Sequence, residues 1–279
     1  MISLLTNTTS LTAQTNLANT QSALSSSIEK LSSGLRINSA ADDAAGLGIS
    51  ENLQADIASI GQASNNANDG VSMSQVAEGA MNSMQGIVSQ MRELAVQSSN
   101  ATLGSTQRGY IQTEYGQLSQ EINRISATTN FNGQQLLDGS ASSGLTFQVG
   151  INNTSNDRIA MSITKLTTST LGSSSLHMAS ASLSTATNAQ KAIAVFDAAI
   201  TQLSTARSKI GAIQNRLQTT ISNLSTSSDN LSAANSRIED VDIASETANM
   251  SQEQVLEQAG VSVLAQANQM PQMALKLLQ

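Results

Sequence analysis

Two short motifs carry residue types suited to acyl transfer. Ser27-Ile28-Glu29-Lys30 spells S-x-x-K, and Ser228-Asp229-Asn230 spells S-D-N. In serine β-lactamases these motifs accompany a nucleophilic serine and its lysine partner, together with a third motif, K-T-G. K-T-G is missing from this chain, and both matches fall inside heptad-patterned helical stretches, so they are chance. Glu239, Asp240 and Asp242 cluster in sequence but lack the glycine and ligand spacing of a calcium loop, and read as an exposed helix end. His177 is the sole histidine, with no carboxylate or cysteine beside it to build a base or a metal site, and reads as a surface residue. There are no cysteines, hence no thiol chemistry, disulfide or cysteine-based zinc site. The expected tally is no catalytic residue, no metal and no cofactor.

Composition points from chemistry toward architecture. Of 279 residues only 12% are charged and 2% aromatic, while 39% are hydrophobic; the net charge is -7. Nucleic-acid binding needs a basic face, and none is visible. No apolar run is long enough to span a bilayer. The first cation is Lys30, so the N-terminus lacks the basic start and continuous apolar core of a secretory signal, and by that test alone the chain would stay in the cytoplasm. A core this poor in aromatics must be built from Leu, Ile, Val, Met and Ala, which suits long helices packed side by side.

The periodicity agrees. Phe196, Leu203, Ile210, Leu217, Leu224, Leu231 and Ile238 recur every seven residues, beside a weaker series of Ile193, Ile200, Arg207, Gln214, Ile221, Ser228 and Asn235. This is a coiled-coil-like helix of roughly 65–75 Å at 1.5 Å per residue. A helix of that length predicts a rod. Leu53, Ile60, Ala67, Met81 and Val88 supply a partner seam, broken at Ser74, and Ile111, Tyr115, Leu118, Ile122 and Ile125 a further helix after a polar turn at 98–106. The middle changes period. Leu145, Phe147 and Val149 alternate with polar residues, as do Ile159, Met161 and Ile163, predicting a β-hairpin within about 131–166. Asn132-Gly133 and Asp138-Gly139 add turn signals. Residues 167–188, rich in Ser and Thr, read as a surface turn at the tip of the rod.

The two ends resemble each other. Residues 1–28 and 258–275 carry no charge. Leu17, Leu24, Ile28 and Leu31 form a stripe at one end; Leu256, Val263, Met270 and Leu277 form one at the other, flanked by Gly260, Ala267 and Ala274. Uncharged amide and hydroxyl faces suit contact with other protein, so these eight residues are expected to pack between subunits. Between the first helix and the rod lies LSSGLRINSAADDAAGLGIS (31–50). Gly34 can end a helix in a left-handed conformation, Ser39 can cap the next with Asp42 three residues on, and Asp42 and Asp43 favour its N-terminus electrostatically. Gly34, Ser39, Asp42 and Asp43 are thus the expected hinge. The organisation this gives is mainly α: a terminal helical assembly domain of residues 1–35 with 250–279, and a helical rod domain of 36–249 carrying the hairpin and the tip.

Taken together, LSSGLRINSAADDAAGLGIS, MRELAVQSSNAT (91–102), IQTEYGQLSQEINRISATTNFNG (111–133), IGAIQNRLQTTISNL (210–224), NLSAANSRIEDVDIASE (230–246) and VLAQANQMPQMALKLL (263–278) resemble, in order, the blocks of bacterial flagellins. The resemblance spans essentially the whole chain outside about 165–190. It implies a minimal form without large outer domains, paired terminal helices, and a structural subunit, not an enzyme, that polymerises into the extracellular filament used for motility. It further implies unfolded export through the flagellar type III channel, which removes the need for a secretory signal. The implied partners are further copies of the chain, the flagellar cap and junction proteins, and an export chaperone on the C-terminal helix. Some flagellins carry O-linked sugar on exposed Ser/Thr, which would suit 167–188. The alternative within the superfamily is the hook–filament junction protein; the MRELAVQ and FNG blocks favour flagellin. A vertebrate innate receptor recognises flagellins at the RELAV block. Arg92, Leu94 and Glu114 match the recognised pattern, whereas Gln90 stands where an Arg is common, which implies weaker activation.

Overall fold

The structure, a computed structural model, describes residues 7–173 and 175–276, with only the helical backbone for 271–276. It is mainly helical: α1 (Thr8–Ser33), α2 (Ala44–Ser98), α3 (Ser105–Thr128), α4 (Ala186–Glu239) and α5 (Ile243–Lys276). Two small antiparallel hairpins lie between α3 and α4: β1 (Asn130–Phe131) with β2 (Gln134–Gln135), and β3 (Leu145–Gln148) with β4 (Arg158–Met161). The long heptad helix read from the sequence is α4, and the mainly α fold with a hairpin is as expected. Contacts divide the chain into two compact units, residues 1–57 with 229–279 and residues 58–228, the division falling within α2 and α4.

Within 58–228 the seams become the core. Phe196, Leu203 and Leu217 are fully buried and Ile210 nearly so; from α2, Ala67, Met81 and Val88 are fully buried. Ser74, which interrupts the α2 seam in sequence, is buried as well. Its hydroxyl donates to the Gly70 carbonyl at 2.7 Å, so the polar group is satisfied within its own helix. Ile111, Tyr115 and Ile122 bring α3 onto the same core. The Tyr115 ring meets Phe196 at 5.8 Å between centroids, its hydroxyl donates to the Met178 carbonyl, and burial pushes the phenol pKa up to about 12. The second hairpin pairs Leu145 with Met161 and Phe147 with Ile159, and its apolar face closes over Ala67 and Leu217. The first turns through Asn132 and Gly133, both at positive φ, as the Asn-Gly signal demands.

Residues 167–188 correct the sequence reading. They are not a surface turn throughout: Ser169, Thr170, His177 and Ser180 are exposed, but Leu171, Met178 and Leu183 are buried in the main core, and α4 already begins at Ala186. Side chains from the helices satisfy the segment's backbone. Gln202 both accepts from the Gly172 amide at 3.0 Å and donates to its carbonyl at 2.8 Å; Asn123 accepts from the Thr168 amide; Ser98 donates to the Leu183 carbonyl at 2.6 Å. A segment without regular ladders can be buried because these groups replace them. His177 itself is exposed.

Candidate assembly surface

In the unit made of residues 1–57 and 229–279, α1 and α5 lie against each other. Their shared seam mixes small and polar residues, Ser10, Ser27, Gly260 and Ala267, with half-buried leucines. Gly260 sits so close to Leu17 that a Cβ there would lie 3.2 Å from the leucine Cδ1, and Ala267 is buried. Asn7 caps α1 by accepting from the Ser10 amide at 3.1 Å, and its amide donates to the Ala267 carbonyl at 2.8 Å. Ser10 donates to the Asn268 side chain at 2.7 Å. Leu17, Leu24 and Leu31 are half-buried, whereas Ile28 is 48% exposed.

The seven-residue stripe of α5 runs along the edge of this seam, one turn from Gly260 and Ala267, and Leu256 lines a hollow with Asn19, Thr20 and Ala23 of α1. Leu256, Val263 and Met270 are 49, 54 and 43% exposed, joined by Val255 and Val261. Leu277, the last member of the expected stripe, lies outside the described residues. The polar positions around these apolar ones are also poised for burial. Thr12, Thr15, Thr20 and Ser25 each donate to the carbonyl one turn back, as do Ser251 and Ser262 on α5. A hydroxyl already bonded to its own helix loses little when water leaves. The surface thus sets apolar side chains among hydroxyls already bonded to their own helices, with Glu253 and Glu257 the charged residues beside Leu256.

The connectors beside this pair are bonded to each other. Gly34 ends α1 at φ 76° and its amide donates to the Lys30 carbonyl. Residues 34–36 then pair with 239–241: the Val241 amide donates to Gly34, the Arg36 amide to Glu239, and the Arg36 guanidinium reaches the Ile238 carbonyl at 2.5 Å. The cap of α2 differs from the expected one. Asp43 accepts from the Ala45 and Gly46 amides and is the residue before the helix, so it replaces Ser39 as N-cap. Ser39 and Asp42 close the preceding turn instead. Asp42 accepts from the Ser39 hydroxyl and the amides of Ser39 and Asn38, which hold its carboxyl below the usual range.

Glu239, set aside in the sequence as part of an acidic helix end, organises a polar cluster. One of its oxygens accepts from the Ser50 hydroxyl at 2.6 Å, Gln54 at 2.9 Å and Asn235 at 3.0 Å. These donors, Ser50 foremost, lower its pKa against the opposing effect of burial. The one available signal was Asn235 in the weaker heptad series, an amide where an apolar residue is usual.

The residues matching the receptor pattern lie in the other unit. Gln90 and Glu114 are exposed and meet across α2 and α3 at 3.5 Å. Arg92 pairs with Asp197 at 2.6 Å, and Leu94 is buried.

Among the described residues no group of three or more His, Cys, Asp or Glu could hold a metal. What the geometry defines is a helical structural protein with an uncovered terminal face. Residues 4–142 match the bacterial flagellin N-terminal helical region, and residues 193–278 the bacterial flagellin C-terminal helical region. A flagellin of Halalkalibacterium halodurans is 44% identical over 251 residues, 90% of each chain. The flagellar filament 33 kDa core protein of Treponema phagedenis is 38% identical over 98% of each. The chain belongs to the bacterial flagellin family, a family of structural filament subunits, not enzymes. Only residues 143–192 separate the two matched regions, so it lacks a large outer domain. A solved structure from Vibrio parahaemolyticus, assigned provisionally as a flagellar hook-associated protein, shares the fold at TM-score 0.59 over 71% of this chain and all of that one; its identity of 14% makes that a likeness of fold alone.

Proposed function

We propose that this chain polymerises into the extracellular flagellar filament through a terminal assembly domain of residues 1–35 and 250–279, the remaining 36–249 serving as the shaft. The observation that supports this most is the exposure of Leu256, Val263 and Met270 along one edge of α5, the last two within the uncharged stretch 258–275. Leu17, Leu24, Ile28 and Leu31 complete the surface from α1. Heterologous contact between such faces generates an open helical assembly and not a closed ring. Gly34, Ser39, Asp42 and Asp43 serve as the joint between the terminal helix and the shaft. Removing residues 1–30 or 250–279 abolishes seeded polymerisation while circular dichroism retains the helicity of the remainder; filaments of normal length from either truncation would refute the assignment.

Family membership supports export in an unfolded state by the flagellar type III system, with a chaperone holding the C-terminal helix beforehand and the cap and junction proteins as later partners. It also supports recognition of the monomer by a vertebrate innate receptor through Gln90, Arg92, Leu94 and Glu114. Gln90 offers a neutral amide where an arginine would offer a charged fork, and an interfacial arginine is commonly worth about 1 kcal/mol or more. Gln90→Arg therefore raises potency in a reporter-cell dose response; identical potency would remove Gln90 from the contact.

A further inference from the structure

The β3–β4 hairpin has two edges, and the helices treat them differently. The Val149 amide donates to the Asp157 carbonyl at 2.8 Å, which makes Phe147–Ile159 and Leu145–Met161 the bonded pairs of the ladder. The residues between them therefore turn their peptide groups outward. On the β3 side an outward carbonyl is taken up: Asn66 of α2 donates to Gln148 at 3.0 Å. On the β4 side the outward series runs Arg158, Ala160 and, past the end of the strand, Ser162 and Thr164. Ile163 between them points inward and donates to the Ala141 carbonyl at 3.2 Å. The amides of Ser162 and Thr164 have no protein partner among the described residues, and both residues are exposed. Such a row of unpaired groups is a template for a further strand.

The open edge borders a hollow of about 560 Å³ against α4. Ser162 and Thr164 line one side of it; Ala206 and Ile213 give the α4 side an apolar floor. Lys209 and Arg216 line it as well, two exposed cations seven residues and so roughly 10 Å apart along the helix. Neither has a carboxylate within ion-pair distance among the described residues. Asp157, which shares the adjoining hollow with Arg216, takes the Thr154 hydroxyl at 2.6 Å instead. In a chain of net charge -7, an uncompensated basic hollow stands out.

We propose that the edge of β4 accepts an extended, acidic segment of another protein as a third strand, laid in the hollow between β4 and α4. The outward amides of Ser162 and Thr164 supply the main-chain bonds, and Lys209 and Arg216 select carboxylates on the face turned toward α4. The spacing fits. Side chains on one face of an extended segment stand roughly 7 or 13 Å apart, and the flexible stems of Lys and Arg span the difference from 10 Å. Apolar residues between the acidic ones would rest on Ala206 and Ile213. The site is complete within one copy, so the inference does not rest on the filament reading.

The probe is a labelled, end-blocked peptide of alternating valine and threonine with two glutamates on one face, titrated into unseeded full-length monomer. Fluorescence anisotropy shows saturable binding with a Kd on the order of 10–100 μM, weakening as salt is raised. The same peptide with lysines for glutamates binds at least about tenfold more weakly, and Lys209→Glu with Arg216→Glu inverts that preference. Strand addition is read separately from charge. Exchange of the Ser162 and Thr164 amides slows at least about tenfold in the complex. A glutamate peptide N-methylated at alternate amides keeps its charges but cannot complete the ladder, and loses affinity at least about tenfold. Unchanged exchange at the two amides, or equal binding of the methylated peptide, would reduce the hollow to electrostatic adhesion and overturn the added strand. Absence of binding up to about 1 mM peptide would overturn the site altogether. So would concentration-dependent dimers that the peptide does not dissociate, since a second copy would then hold the edge. Should the charge reversal lose helicity, Lys209→Gln with Arg216→Gln replaces it and weakens glutamate-peptide binding about threefold; an unchanged affinity counts against the site.

Discussion

The unit of residues 58–228 and the unit of residues 1–57 with 229–279 are both helical, yet they treat apolar side chains in opposite ways. The twelve largest fully buried side chains, Phe196 and Met81 among them, all belong to the first. Of thirteen exposed large hydrophobic residues among those described, nine belong to the second, from Leu11 and Ile28 to Val263 and Met270. The first unit satisfies itself. The second has spent its close-packing positions, Gly260 and Ala267, on a seam of small residues and left its larger side chains uncovered. Burial of apolar surface stabilises by roughly 25 cal/mol per Å², so a unit that withholds this burial in a single copy stores it for association. Burial is thus divided unequally between the two units, as the proposed terminal assembly surface requires.

Placing the same substitution in both regions breaks the comparison most sharply. Leu217→Asp puts a carboxylate into a fully buried site beside Ala67 and Val149, and lowers unfolding stability by roughly 4 kcal/mol or more. Leu256→Asp, on a side chain 49% exposed, changes monomer stability by no more than about 1 kcal/mol but prevents polymerisation. Urea melts and seeded growth of both variants read the two effects; equal stability losses would erase the distinction. A smaller change falls on the α1–α5 seam. Gly260→Leu forces the helices apart at Leu17 and costs about 1–3 kcal/mol of local stability, seen as faster exchange in both helices with the melt of residues 58–228 unchanged.

The smallest effect is pH-dependent. Glu239 has a folded pKa lowered by hydrogen bonds from Ser50, Asn235 and Gln54, so its contribution is present above the ordinary glutamate value of 4.5 and is lost as pH falls through the depressed folded value. No cation pairs with it among the described residues. Glu239→Gln should therefore exchange faster than wild type at residues 34–36 and 239–241 at neutral pH, and the difference should shrink below about 4.5. A difference that grows on acidification would mean that the carboxylate is not the anchor.

The division between the units was only partly legible in the sequence. Seven-residue spacing revealed the α4 seam and its α2 partner because burial at those positions leaves a period, and alternation revealed the β3–β4 hairpin. Burial without a period was invisible. Leu171, Met178 and Leu183 sit among serines and threonines at irregular spacing, and only side chains distant in sequence, such as Gln202 and Asn123, make their burial affordable. The cap of α2 was misplaced because Ser39 with Asp42 and Asp43 alone offer equally good local chemistry; the three-dimensional turn decides between them. Glu239 was hidden because its donors come from residues 50 and 54 as well as from its own helix. The stripe of Leu256, Val263 and Met270 was visible, but sequence could not say whether it faces α1 or the outside. Gly260 and Ala267, one turn on from Leu256 and Val263, let α1 approach closely and leave the stripe half-exposed along the edge of the seam.

The division of labour is tested most directly by amide hydrogen exchange on monomer and on filament. In monomer, peptides from residues 8–33 and 243–270 should exchange orders of magnitude faster than those from 77–95 and 192–210, since a thin seam leaves the terminal helices little protection. In filament the terminal peptides should become as slow as the core. Terminal helices equally protected in both states would contradict the account, because the uncovered face would then have nothing to gain from a neighbouring copy.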